Sequence, residues 1–154
     1  MQVQVKDIMA RKVEAISPTT SVAEAAEIMK AHDVGALPVC DGNRLVGMLT
    51  DRDIIVRSTA EGFHPETVQA GEVMTRNAVY GFEDQDVAEA SRIMEENQIR
   101  RLPILDRQKR LVGMLSLGDI ALGTDNKELA GEALREISEP EASKPLPGQK
   151  REWK

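Results

Sequence analysis

The chain has 154 residues and a formal net charge of −6 at pH 7, with 41% hydrophobic, 30% charged and 3% aromatic residues. The negative balance and the scarcity of stacking rings argue against nucleic acid as a partner. No apolar run approaches the roughly 18–20 residues that a membrane span needs, so no membrane partner is expected either.

The first ten residues, MQVQVKDIMA, lack the basic and then apolar pattern of a secretory leader. A lone cysteine, Cys40, leaves no intrachain disulfide to form. Both readings lead to an expected cytoplasmic setting and to a fold held by apolar burial. Ser21 followed by Glu24 is a capping-box pattern, and Val22, Ala25, Ala26 and Met29 then recur at helical spacing. Their simplest role is core, and His32 is expected to end that helix, where a cation is favourable. Short apolar runs at 37–40 and 45–49, with Asp41-Gly42 between them, predict a strand pair. Thr50 then opens a second helix, DRDIIVR.

After STAEGFHPETVQ the same order returns. Met9 matches Met74, VAEAAEIM matches VAEASRIM, and ALPVC matches RLPIL, all 65 positions on. Asp86 with Glu89 repeats the capping pattern ahead of Val87, Ala90 and Met94. Beyond the turn RLVGMLTDRDI matches RLVGMLSLGDI 66 positions on, because DGN before Arg44 is answered by DRQK before Arg110. One extra residue in a polar turn is what loops tolerate. The organisation is therefore a first repeat at 3–57, a linker at 58–68 and a second repeat at 69–123. The remainder, 124–154, begins with Leu129, Ala130, Ala133, Leu134 and Ile137 at helical spacing. That predicts an amphipathic helix within 125–139, weakened at Gly131 by about 1 kcal/mol. PEASKPLPGQKREWK, with Trp153, is expected to be disordered in isolation.

Each repeat reads β-α-β-β-α, giving an α/β (α+β) fold class. Neither half has enough structure to cover both faces of its own small sheet, so the two should share a core about a pseudo-two-fold axis. Gly47 and Gly113, inside strands, mark close backbone approach more readily than a phosphate loop.

The doubled LPV-type strand, hydrophobic-Gly-hydrophobic strand and closing Thr/Ser-x-x-Asp resemble a tandem pair of CBS domains, or Bateman module, of the small stand-alone bacterial kind. The resemblance implies a sensory module that binds AMP first of all, then ATP, ADP or NAD, or S-adenosylmethionine, in clefts between the repeats, with no obligatory cofactor. It implies that the motif's Asp holds the ribose hydroxyls and its Thr or Ser lies by the phosphates. By the same resemblance one site comprises Met48, Thr50, Arg52, Asp53, Arg76, Ala78, Ile99 and Arg100. The other comprises Val13, Val34, Gly35, Arg101, Met114, Ser116 and Asp119. It further implies a homodimer, and the output partner would be an unidentified protein in trans.

The chemistry of these residue types is compatible with that role. A carboxylate accepts from two vicinal hydroxyls at once, and a hydroxyl at a helix start stands beside free backbone N–H groups. Arg52, Arg76, Arg100 and Arg101 offer planar forks for phosphate. Arg52 has Gly118 as its counterpart, which favours polyphosphate at the Asp53 site. The same Thr50/Asp53 and Ser116/Asp119 pairs are equally sound helix caps, and spacing alone leaves both readings open. His32, Cys40 and His64 fit no zinc spacing, and no metal site is expected. No nucleophile elbow or other local catalytic signature is present, and the expectation is a protein that is not an enzyme. The alternative to a sensor is a structural homodimerisation module with vestigial nucleotide clefts.

Overall fold

The Ser21 hydroxyl accepts from the Glu24 amide at 3.1 Å and so starts α2 (Val22–His32), which follows the single turn α1 (Val5–Ile8). These and all later elements belong to a computed structural model that describes residues 3–124 and 126–139. The Pro-rich tail and Trp153 lie outside the described residues. Val22, Ala25 and Met29 are buried, but Ala26, expected on the same stripe, is exposed.

From Ala36 the chain runs out as β1 (Ala36–Asp41) and returns antiparallel as β2 (Arg44–Thr50) around Gly42, whose φ of 63° suits glycine. The helix expected after Thr50 is only in part an α-helix. Three residues, α3 (Asp51–Asp53), pass into a π-helix over Ile54–Thr59, where the Ala60 amide donates to the Ile55 carbonyl five residues back. The helical segment thus extends into the stretch expected to be linker.

The second repeat follows the same plan with α4 (Ala70–Val73), β3 (Thr75–Arg76), β4 (Gly81–Phe82), α5 (Val87–Asn97), β5 (Arg101–Leu105), β6 (Leu111–Ser116) and α6 (Leu117–Gly123). At Asp86 the expected capping box is not formed: its carboxylate makes no cap bond. The Val3 carbonyl takes the Val87 amide at 3.0 Å, and the Asp86 carbonyl takes those of Glu89 and Ala90, leaving the side chain no required role. The last described helix, α7 (Lys127–Ser138), packs on α5 and α6, burying Ala133 and Ile137. That cover explains why Ser91 is buried while its counterpart Ala26 is not.

Each sheet is completed by the opposite repeat. β3 of the second repeat pairs with β2 of the first through Met48 and Thr75. Ala10 of the first repeat pairs in the same antiparallel way with Met114 on β6. Glycine permits both approaches: a Cβ at Gly47 would lie 2.7 Å from the Thr75 carbonyl, and one at Gly113 2.7 Å from that of Ala10. The cores are exchanged likewise. Val68, Ala70, Val73 and Met74 sit with Leu37, Val39 and Leu49, while Val5 and Met9 sit with Leu102, Ile104 and Leu115. The two sheets meet where Arg44 bridges its own counterpart, Arg110, antiparallel, so the pseudo-two-fold axis passes between them.

Candidate functional site

Thr50 leaves β2 extended, with φ −108° and ψ 162°, and caps α3 in both directions. Its hydroxyl accepts from the Asp53 amide at 3.1 Å, and Asp53 Oδ2 accepts from the Thr50 amide at 3.0 Å. Ser116 and Asp119 repeat the arrangement at the start of α6, at 3.0 and 2.9 Å. The capping reading is therefore realised at both motifs. It leaves each carboxylate one oxygen outside the cap. Asp53 is 8% exposed, its Oδ1 lies 3.9 Å from Arg57 Nε, and the Thr75 hydroxyl stands 3.5 Å from both its oxygens.

Asp53 lines a cleft of about 800 Å³ between the repeats. Met48, Thr50, Arg52, Ala78, Ile99 and Arg100 line it with Asp53, so seven of the eight residues expected there are brought together. Arg76 is not. Its guanidinium donates to the Gly71 carbonyl at 3.1 Å and lies over a different hollow, because alternate residues of a strand face opposite ways and Thr75 takes the inward place. Arg57 also lines the cleft and was missed, although it follows Asp53 at i, i+4; its Nη1 donates to the Met74 carbonyl at 3.1 Å. The cleft thus carries Arg52, Arg57, Arg100 and Arg101 against Asp51 and Asp53.

Asp119 lines a smaller cleft of about 300 Å³ with Val13, Val34, Arg101, Met114 and Ser116. Gly35, expected here, lines the Asp53 cleft instead, since its carbonyl receives the Asp51 amide of its own repeat at 2.9 Å. Lys12, Glu14 and His32 complete the wall, with His32 Nε2 3.7 Å from Glu14 Oε1. Ala36 and Arg101, which occupy equivalent positions in the repeats, line both clefts. Where the Asp53 cleft has Thr75, Arg52 and Arg57, the corresponding positions around Asp119 hold Ala10, Gly118 and Gly123. The larger cleft therefore carries four arginines and the smaller only Arg101.

Cys40 is buried in β1, and burial pushes its thiol pKa up, away from the reactive thiolate. His64 lies in the segment between the repeats, its Nδ1 accepting from the Glu66 amide. Among the described residues no three His, Cys, Asp or Glu side chains are grouped as a metal ion would require. Nor is any described helix long and apolar enough to cross a membrane.

The family model described as "CBS domain" matches residues 5–59 and 70–122. The "CBS domain-containing protein YhcV" of Bacillus subtilis is 47% identical over 134 residues, 87% of this chain and 94% of that protein. "Hypoxic response protein 1" of Mycobacterium tuberculosis is 41% identical over 117 residues, 75% of this chain and 81% of that one. A crystal structure of Hypoxic Response Protein I with two coordinated zinc ions matches with a TM-score of 0.72 and 40% identity, covering 77% of this chain and 97% of that one. The CBS domain pair of protein MJ0100, in complex with methylthioadenosine and S-adenosyl-L-methionine, matches with a TM-score of 0.71 and 28% identity, covering 86% and 99%.

Proposed function

This chain belongs to the CBS domain family as two CBS domains in tandem, and from that premise we propose that it is a cytoplasmic, non-enzymatic sensor of adenosine-containing nucleotides that signals to a protein partner in trans. The observation that carries the reading is Asp53. A buried carboxylate with one oxygen fixed in a helix cap and the other outside it lines a cleft with four arginines. Such a carboxylate can accept from both ribose hydroxyls while guanidinium forks take the phosphates. The ligands named for the MJ0100 pair, both adenosine derivatives, support the class. AMP is the first candidate, ahead of ATP, ADP and NAD, and a longer phosphate chain belongs in the Asp53 cleft rather than the Asp119 cleft. Any signal requires that the ligand bind two packings of the repeats with different affinity.

Thermal unfolding against AMP, ADP, ATP, NAD, S-adenosylmethionine and 2′-deoxy-ATP tests this. A ligand at about 100 times its dissociation constant stabilises the fold by about 2.7 kcal/mol. We expect a rise in melting temperature with at least one ribonucleotide, less with the deoxy analogue, and none after Asp53→Asn, which keeps a capping oxygen but not the charge. A flat response from nucleotide-free protein overturns the reading.

A second reading, a homodimerisation module with vestigial clefts, is favoured by Ile55 and Val56 on the π-helix, which are 59% and 46% exposed. Light scattering that shows a dimer indifferent to every nucleotide would establish it.

A further inference from the structure

The one-residue difference between the two turns frees an arginine. In the second repeat Asp106 is four residues before Arg110, and its carboxylate accepts from the Arg110 Nε at 2.8 Å. In the first repeat the shorter turn puts the corresponding Asp41 only three positions before Arg44, and the ion pair is not made. Arg44 stands instead at the rim of a hollow of about 490 Å³ beside the pseudo-two-fold axis.

Two other cations converge on the same hollow. Arg76 reaches it from β3, with one nitrogen already steadied by the Gly71 carbonyl. Lys109 reaches it from the longer turn, in a left-handed conformation with φ 63°. Among the described residues none of the three forms an ion pair, and no acidic side chain lines the hollow. Leu45, Val46, Leu105 and the Tyr80 ring supply an apolar floor. In a chain of net charge −6 this is a local concentration of positive charge around an opening that an anion can enter.

We propose that this hollow is a third ligand site, for a small oligophosphate, separate from the clefts at Asp53 and Asp119. Two guanidinium forks match phosphate oxygens two at a time, and the ammonium adds a third charge as a point donor. A hollow of this volume suits a small molecule. The site does not depend on what the clefts bind, although Asn77 and Ala78 line both it and the Asp53 cleft.

The test is calorimetric titration of the full chain with inorganic tripolyphosphate at low ionic strength, in parallel with citrate. It is run on an Arg52→Gln/Arg100→Gln variant, which takes two phosphate forks out of the Asp53 cleft, and repeated with Arg44→Gln/Lys109→Gln added. All four side chains are exposed, and melting curves verify that the variants fold. The expected result is tripolyphosphate binding that survives Arg52→Gln/Arg100→Gln, at least a tenfold loss of that binding once Arg44→Gln/Lys109→Gln is added, and citrate binding at least tenfold weaker. No tripolyphosphate binding to the Arg52→Gln/Arg100→Gln variant, no loss when Arg44→Gln/Lys109→Gln is added, or citrate binding as tightly as tripolyphosphate overturns the proposal.

Discussion

Ile8 fills the space into which a side chain at Gly123 would project. Gly123 is the counterpart of Arg57, and a Cβ placed on it would lie 2.6 Å from Ile8 Cγ2 and 2.9 Å from Ile8 Cβ. A branched side chain cannot retreat from such contacts without moving α1 away from α6. Gly123→Ala is therefore expected to destabilise the fold by about 1–3 kcal/mol, outweighing the helix propensity it gains. Urea unfolding gives the difference directly, and equal or greater stability would refute the packing account.

Arg57 ties the end of its π-helix to the Val73 and Met74 carbonyls at 3.4 and 3.1 Å while its guanidinium lies near Asp53. Arg57→Met keeps the aliphatic stem and removes the donors. Because the side chain is half exposed, the cost is expected to be only about 1 kcal/mol. On the proposed function the same variant weakens ATP more than AMP, a difference that competition between the two nucleotides would reveal.

Much of this was legible beforehand and some was not. The offsets of 65 and 66 located the β1–β2 and β5–β6 pairs and both capped motifs, because turn chemistry and apolar alternation are local properties. What eluded the sequence was orientation. Arg76 and Thr75 are neighbours in the chain, and only pairing to β2 decides which of them faces Asp53. Gly35 likewise lines the Asp53 cleft, its carbonyl held by the Asp51 amide. Arg57 did carry a signal, its i, i+4 spacing from Asp53. Nothing local separates the π-helix over Ile54–Thr59 from the α-helix over Leu117–Gly123.

Acid sensitivity runs in opposite directions at two places. The Arg110 amide, followed by its guanidinium, holds the Asp106 carboxyl below the ordinary value of 3.8. A depressed carboxyl lends stability that is complete above the unfolded value and is lost as pH falls through the folded one. Asp106→Asn should therefore lower the melting temperature at pH 7, and the gap to the wild type should close on acidification below about pH 4. A gap independent of pH would point to lost turn geometry instead.

Glu95 behaves oppositely. Burial, together with Glu132 and Glu136 on α7, raises its carboxyl above 4.5. Ionising it thus disfavours the fold, so stability is greatest below the unfolded value and declines as pH rises through the folded one. Glu95→Gln is expected to raise the melting temperature at pH 7 and to leave it unchanged near pH 4. Amide exchange across α7 should slow in parallel, since the repulsion acts on its docking against α5.

The exchanged closing pairs, Met48 with Thr75 and Ala10 with Met114, mean that neither repeat contains all the hydrogen-bonding partners of its own sheet. A polypeptide of half this length would have to borrow the missing partner from a second copy of itself. In this chain the borrowing is intramolecular, and each half can differ in the residues it presents to the other. Asp106 with Arg110, Gly123 with Ile8 and an Arg44 that makes no such pair with Asp41 are differences that a strictly symmetric pair of identical chains could never have held.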